Sequence, residues 1–369
     1  MSSKENKRVV VAMSGGVDSS VVVALLKKQG YDVVGVFMQF WFPSGETYGE
    51  NRCCSLKSWN EAQEVAKILD IPIYKVNFGR QFKKLIVDEF LNEYKAGHTP
   101  NPCVACNKFI KFDLLLKYAK TVFDADYLAT GHYISLMSSR RKLGSRGNRM
   151  ISRMMAYEIM RPKDLNKDQT YFLYNLKQEQ LKHLLFPLAD YKKEEIRKIA
   201  KKLKLPIHDK KDSQEVCFVG NSHNDFLKKY LKPKKGKITN DKSQILGEHQ
   251  GLALYTIGQR SGIGISGGPW YVASMDYKKN LLIVTKNQKI SGIYKKELQF
   301  NNENWLAPVK FPLKCQAQIR YHAKPASCTV SKSGRDFSVK FSQGQRAITS
   351  GQSVVFYDKN KLLGGGIIK

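Results

Sequence analysis

The sequence predicts an α/β fold: a parallel-sheet N-terminal domain followed by two small β-rich domains, the last a β-barrel. Three observations predict it. Strand-like and helix-like stretches alternate through the first half of the chain. From about Gly236 short alternating segments punctuated by glycine replace them. A length of 369 residues also exceeds what one hydrophobic core organises. The expected domains are 1–222, 223–292 and 293–369.

Each element follows from local pattern. RVVVAM (8–13) is a continuous β-branched run, as a strand buried on both faces requires. After a Gly-Ser loop comes the helical SSVVVALLKKQG, with Gly30 as its C-cap. YDVVGVFM (31–38) is the second strand, KSWNEAQEVAKILD (57–70) a helix closed at Ile71-Pro72, and IYKVNF (73–78) the third strand. An amphipathic pattern runs from Arg80 to about Lys95, FIKFDLLLKYAK is helical, and YLAT (127–130) is a short strand ending at Gly131-His132. Such alternation implies a parallel sheet covered on both faces by right-handed crossovers. Residues 138–149, SSRRKLGSRGNR, read as a flexible basic loop. The segments GLALYTIGQRSGIGISGGPWYVASM, NLLIVTK, CQAQIRY, CTVSKSG, DFSVKFS and SVVFYD supply the β modules.

Composition narrows the function. Hydrophobic content of 42% suits a folded globular protein, and no apolar run approaches the ~20 residues that span a bilayer. With no signal-peptide pattern, the expected setting is cytoplasmic and membrane-free. Lys+Arg of 62 against Asp+Glu of 32 gives +30, an excess that attracts polyanions, and nucleic acid is the expected partner. Seven cysteines, an odd count in a long chain of this kind, argue against a disulfide framework and for reduced thiols. The adjacent pair Cys53 and Cys54 reads as structural or incidental.

SGGVDSS (14–20) lies between a strand and a helix. There Gly15 and Gly16 let backbone approach an anion, Ser14, Ser19 and Ser20 offer hydroxyls, and the helix N-terminus supplies N–H groups and partial positive charge. Asp18 would meet phosphate through Mg²⁺ or cap the helix. The G-K-[ST] ending of a Walker loop is absent, as is G-x-G-x-x-G. In PCVAC, Cys103 and Cys106 stand three apart, a spacing open to a metal clamp, a redox pair or a single nucleophile.

This loop after a first strand resembles the pyrophosphate (PP) loop of the ATP pyrophosphatases, whose catalytic domain is adenine-nucleotide alpha-hydrolase-like. PNPCVACNKFIKF, ATGHY, NKDQTYFLY, KDSQEVCFVG, YTIGQRSGIGI, PWYV and GQSVVFYD follow in order. Together they resemble the tRNA-specific 2-thiouridylase (MnmA/TrmU) family across essentially the whole chain. The resemblance implies ATP-dependent adenylation of the C-2 oxygen of the wobble uridine, position 34, then sulfur transfer giving 2-thiouridine with release of AMP and pyrophosphate. The implied partners are the anticodon region of tRNA and a sulfur-relay protein or cysteine desulfurase.

Residue by residue, the resemblance makes Cys217 the persulfide carrier and Cys106 the nucleophile, closing a transient disulfide with Cys217. Ala12, Met13, Ser14, Gly15, Gly16, Val17, Asp18 and Ser19, with the backbone of Met38 and Gly131, match ATP contacts, Asp18 through Mg²⁺. Asn101, Pro102 and Cys103 match the segment facing the target base. His132, Lys167, Asp168, Gln169, Arg320, Tyr321 and Gln352 match tRNA contacts, although from the residues alone Asp168 could be a cap and His132 a turn residue. One departure stands out: many members hold aspartate where this chain has Cys103. That leaves Cys103, Cys106 and Cys217 as conceivable ligands of a [4Fe–4S] cluster, an alternative to the persulfide route. A PP-loop amide ligase acting on a small metabolite is the other alternative, resting on the loop alone.

Overall fold

The computed structural model describes residues 7–43, 55–142, 153–212, 216–219, 222–287 and 293–369. Cys53 and Cys54 lie outside them. The chain forms two compact units. One comprises 1–85, 103–218 and 359–362, and the other 86–102, 219–358 and 363–369. The second unit therefore contains the β-rich region together with a segment from the N-terminal half.

In the first unit β1 (Arg8–Met13) is followed by α1 (Val17–Lys28), β2 (Asp32–Gln39), α2 (Leu56–Ile68) and β3 (Ile73–Asn77). Val9, Val10 and Val11 are wholly buried, as a strand covered on both faces demands. The helix ends at Lys28, and Gly30 adopts φ +85° just beyond it, the left-handed turn that glycine takes without penalty. Ser55 caps α2 by accepting from the Ser58 N–H at 3.1 Å.

The amphipathic stretch after β3 is α3 (Gly79–Phe82), a π-helical turn (Lys83–Asp88) and α4 (Glu89–Lys95). The cysteine segment is α5 (Pro102–Cys106), which runs through a π-helical stretch (Asn107–Leu114) into α6 (Leu115–Val122). Next come β4 (Tyr127–Ala129), the hairpin β5 (Ser135–Lys142) and β6 (Arg153–Met160), α7 (Gln178–Leu181), β7 (Leu184–Leu185) and α8 (Lys193–Lys202). The main sheet has the order β3-β2-β1-β4-β7, every neighbour parallel.

The hairpin corrects one expectation. Residues 138–142, expected in a basic loop, belong to β5 and pair antiparallel with 153–157. Ladder hydrogen bonds set the backbone there whatever the charge of the side chains. Residues 143–149 of the expected loop lie outside the described residues.

In the second unit α9 (His223–Leu231) precedes a four-stranded sheet of β8 (Gly236–Asn240), β9 (Ile245–His249), β10 (Tyr271–Asp276) and β11 (Leu281–Thr285), ordered β10-β11-β8-β9. Residues 252–270, expected to contribute strands, are a short 3₁₀ turn and loop, where Gly258, Gly262, Gly264 and Gly267 all take positive φ and interrupt any extended run. The terminal barrel comprises β12 (Tyr294–Trp305), β13 (Leu313–Gln318), β14 (Ala326–Ser333), β15 (Asp336–Arg346), β16 (Ser353–Asp358) and β17 (Lys361–Ile368). Its order is β12-β15-β14-β13-β16-β17, closed by pairing of β12 with β17, which removes the exposed sheet edges.

Candidate functional site

The strand order of the first unit reverses direction at β1, with β2 on one side and β4 on the other. In open parallel sheets ligands bind at such a switch point, beyond the carboxyl ends of the strands. The glycine loop leaves the end of β1 there, and Gly131 follows β4. A side chain at Gly131 would place its Cβ 3.0 Å from both the Asp18 Cβ and the Ser19 nitrogen. Gly15 takes φ +69°, and a Cβ on it would lie 2.3 Å from the Ser58 carbonyl oxygen. Gly15 therefore requires glycine, and Gly131 leaves only tight room for a side chain, where the backbone segments converge.

The loop is braced by its own hydroxyls. Ser14 N–H donates to Ser19 Oγ at 3.2 Å, and the Ser19 and Ser20 hydroxyls both donate to the Gly16 carbonyl. No side chain caps α1, and its N-cap, Gly16, has none to offer. The first N–H groups of this twelve-residue helix point toward the loop with the positive end of its dipole. Met38 lies near the carboxyl end of β2, at the same end of the sheet.

Asp18 is not a helix cap. Lys193, at the start of α8, donates to both its carboxylate oxygens at 2.7 Å, and the Tyr133 hydroxyl donates to Oδ1 at 2.8 Å. The Lys193 ammonium also bridges to Asp212 at 2.8 Å, which in turn accepts from Lys167 at 2.7 Å and meets Arg197 at 3.4 Å. Burial works to raise the pKa of Asp212, but the hydrogen bonds from Lys167 and Lys193 outweigh it and hold the carboxyl below its ordinary value. Burial, reinforced by Asp18, pushes the Tyr133 phenol up, so it remains a donor at any physiological pH. Lys210 ties the loop from the other side. It donates to the Gly15 carbonyl at 3.0 Å and to Ser58 Oγ at 3.1 Å, and pairs with Glu61. Sequence reasoning did not single out Tyr133, Lys193, Lys210 and Asp212, although Tyr133 closes the ATGHY motif, Asp212 lies within KDSQEVCFVG and Lys210 immediately precedes it, the signals that could have found them.

Cys106 is buried on the helical segment that begins at Pro102, and Cys103, one turn earlier, is exposed. Cys217 is half-buried, next to Phe218, whose ring packs edge-on against Phe82 at 5.8 Å. All three belong to the first unit. Among the described residues, no group of three or more His, Cys, Asp or Glu side chains is arranged to hold a metal ion. A mononuclear site built from several such side chains is therefore not formed among the described residues. Mg²⁺ is different, because it commonly takes one or two carboxylates and completes its shell with substrate phosphates and water. Asp18, at the loop, is a carboxylate of that kind.

His132 is buried, its ring 5.5 Å from Phe112 and its Nδ1 2.8 Å from Thr130 Oγ1. Burial, with the Lys111 charge added, drives its pKa well below the ordinary value and keeps it neutral. Asp168 is buried too; it accepts from the Thr170 N–H and hydroxyl and pairs with Arg161 at 2.7 Å. Gln169 Oε1 accepts from the Tyr133 N–H at 2.9 Å. These three brace the turns that hold Tyr133, and only Lys167 of that group presents a half-exposed charge. In the second unit Arg320 donates to the Ala347 carbonyl and Thr349, and Gln352 donates to the Thr99 carbonyl at 2.6 Å. Asn101, Pro102 and Tyr321 are half-buried there. A separate cleft of about 470 Å³ opens beside Lys7, Tyr127 and His183, at the opposite end of β1 from the loop.

Comparison with known proteins places this geometry in a family. Residues 7–221 match the tRNA methyl transferase HUP domain, 224–286 the tRNA methyl transferase PRC-barrel domain, and 295–368 the aminomethyltransferase beta-barrel domain. A tRNA-specific 2-thiouridylase MnmA of Clostridioides difficile is 44% identical over 371 residues, covering 99% of this chain and 98% of that protein. One of Clostridium kluyveri is 46% identical, covering 98% and 99%. Among solved structures, the U34-tRNA thiolase NcsA of Methanococcus maripaludis, with its [4Fe–4S] cluster, aligns at TM-score 0.36 and 17% identity over 58% of this chain and 63% of that one. That degree of likeness carries no inference about chemistry.

Proposed function

The chain belongs to the tRNA-specific 2-thiouridylase family, and we propose that it replaces the C-2 oxygen of the wobble uridine of tRNA with sulfur, using ATP. A carbonyl oxygen is a poor leaving group, so it must first be activated. The uridine oxygen attacks the α-phosphorus of ATP, pyrophosphate leaves, and an adenylated pyrimidine results. The loop at 14–20, with the dipole of α1 behind it, stabilises charge on the departing pyrophosphate. Mg²⁺ held by Asp18 and the phosphates would neutralise further charge. Lys193 orients Asp18 for that task.

The second step uses a persulfide on Cys217, delivered by a sulfur-relay protein or cysteine desulfurase. Its terminal sulfur attacks C-2 and AMP departs. The Cys106 thiolate then attacks the Cys217 sulfur, releasing 2-thiouridine and leaving a Cys106–Cys217 disulfide that an external thiol reductant reopens. Sulfur suits this step because thiolates and persulfides are strong nucleophiles at neutral pH.

The observation that carries this reading is the occurrence, in one compact unit, of a glycine loop at a sheet switch point and the two cysteines of the family motifs. The +30 charge supports tRNA, met at its anticodon region, as the substrate. The small-metabolite ligase leaves both the charge and the end-to-end likeness unexplained. The test is tRNA thiolation with a persulfide donor by Cys106→Ser and Cys217→Ser enzyme. Each should lose on the order of 10³-fold or more in rate. Wild-type thiolation by either variant would end the assignment.

A further inference from the structure

Two thiols outside the sulfur-transfer centre face each other in the terminal barrel. Cys315 on β13 and Cys328 on β14 are directly opposed across an antiparallel ladder, in the register that also opposes Lys314 to Thr329 and Gln316 to Ser327. Their sulfurs are 3.7 Å apart. Opposed residues of such a ladder have Cα atoms ~4.5–5.5 Å apart, inside the ~4.4–6.8 Å that a disulfide spans. A modest side-chain rotation therefore closes the bond with the strands in place.

The two thiols are not equivalent. Cys328 is buried, 7% exposed, within the barrel core beside Val330 and Phe341, whereas Cys315 is half-buried at the margin of that core. A small polar oxidant therefore reaches Cys315 first and finds Cys328 behind it, the arrangement of an attacking and a resolving thiol.

We propose that Cys315 and Cys328 are a second dithiol–disulfide couple of this protein, an oxidation site that a peroxide closes through Cys315. The Cys315 thiolate attacks one oxygen of the peroxide, the O–O bond breaks, hydroxide leaves and a sulfenic acid forms. Cys328 then attacks that sulfur, giving up its proton, and water departs. Overall one hydrogen peroxide is reduced to two waters while two thiols become one disulfide. The hydrogen bond to Cys328, burial and the nearby Asp358 carboxylate all push the Cys315 thiol up, so it stays protonated at neutral pH. The couple therefore closes slowly under sustained oxidant, and is no rapid sensor.

Peptide mapping of the full-length protein tests this. The chain is exposed to hydrogen peroxide while folded, its remaining thiols are blocked with iodoacetamide after unfolding, and digests are compared with and without reduction. A cross-linked peptide pair carrying Cys315 and Cys328 is expected, two hydrogens lighter than the separate peptides. It should persist in Cys106→Ser and Cys217→Ser protein, which separates it from the sulfur-transfer pair. In Cys328→Ser protein Cys315 has no resolving thiol, and it should advance to the sulfinic acid. Full alkylation of both cysteines after oxidation, or a singly over-oxidised Cys315 in the wild type, would overturn the proposal. The wild-type map decides alone if a variant does not fold.

Discussion

At the carboxyl ends of β1 and β4 ionised side chains are folded inward, whereas the barrel interior is built on ring-to-ring packing. The first region buries Lys193 and ties it to Asp18 and Asp212, with side-chain exposures of 10%, 29% and 27%. The second packs Phe300 against Phe337 and Phe356 with tilted rings and stacks Phe356 on Trp305, each pair at 5.2 Å. The apolar interior stabilises through area removed from water. Desolvating ions costs several kcal/mol per charge, and pairing only offsets it, so a buried ionic network is weak evidence for stability. The difference teaches that the two regions rest on different physics: the barrel on apolar packing, the loop on paired charges whose net contribution to stability is small.

The sharpest way to break that contrast is Lys193→Met. The substitution keeps the stem and removes the ammonium, leaving Asp18 with Tyr133 and Asp212 with Lys167 and Arg197. Removing one partner of a buried pair costs ~3–5 kcal/mol, and the partial exposure of both carboxylates brings the expectation down to ~2–3 kcal/mol. tRNA-dependent pyrophosphate release should fall on the order of 10²-fold or more. Wild-type release and an unchanged melting temperature would show the network to be inert.

Gly15→Ala ranks next. The left-handed φ of +69° costs a residue bearing a Cβ ~1 kcal/mol, and that Cβ would lie 2.3 Å from the Ser58 carbonyl oxygen, which is backbone and cannot swing away. A loss of ~2–3 kcal/mol is expected in urea unfolding, with weakened ATP binding. Gly16→Ala is the control: a Cβ there meets only Ser14 Oγ at 3.4 Å, at φ −101°. Equal losses from the two would mean that close backbone approach does not govern the loop.

What the sequence disclosed divides along the same line. RVVVAM is strand and SGGVDSS is loop and helix start because short-range rules decide both: β-branched packing in one, glycine backbone freedom in the other. Four of the six barrel strands, β13 to β16, fall in segments that the sequence marks as strand-like, whereas β12 and β17 are not among those segments. Lys193, Lys210 and Asp212 could not be read that way. Lys193 and Lys210 meet the loop from 175 and 195 residues away and Asp212 joins through Lys193, and nothing in a lysine-rich helix such as KKEEIRKIAKK marks which ammonium turns inward. The burial of His132 and Asp168 was hidden for the same reason, since it depends on Phe112 and Arg161 arriving from elsewhere in the fold.

Acid should expose the ionic region with a smaller effect. His132 has a folded pKa below its unfolded value near 6.5, so the unfolded chain binds the extra proton first. Its contribution is complete above pH 6.5 and is lost as pH falls from there toward the folded value. His223 and His249, also lowered by burial, act in the same direction. Asp212 joins only at lower pH: its stabilisation is present above the unfolded value of 3.8 and is lost as pH falls through its still lower folded pKa. Stability measured by urea unfolding from pH 7.5 to 5 should decline once the pH falls below about 6.5, the direction that all three histidines share. His132→Phe should flatten part of that slope, and an unchanged slope would mean that His132 already titrates normally in the fold.

Trp305→Phe should have the smallest effect, because here the barrel carries a polar atom it does not use. The indole Nε1 is buried without a hydrogen-bond partner, while the ring stacks on Phe356 at an interplanar angle of 14° and meets Phe311 edge-on at 5.5 Å. Replacing indole by phenyl forfeits packing worth ~1–2 kcal/mol. It also removes an unsatisfied donor whose desolvation costs ~1–3 kcal/mol. The two terms nearly cancel, so the urea midpoint should stay within about 1 kcal/mol of the wild type. Trp305→Ala has no such offset and should cost ~3–5 kcal/mol. A loss from Trp305→Phe as large as that from Lys193→Met would erase the distinction between the two interiors. It would mean that Nε1 makes a bond on which the barrel depends, as Asp18 depends on Lys193.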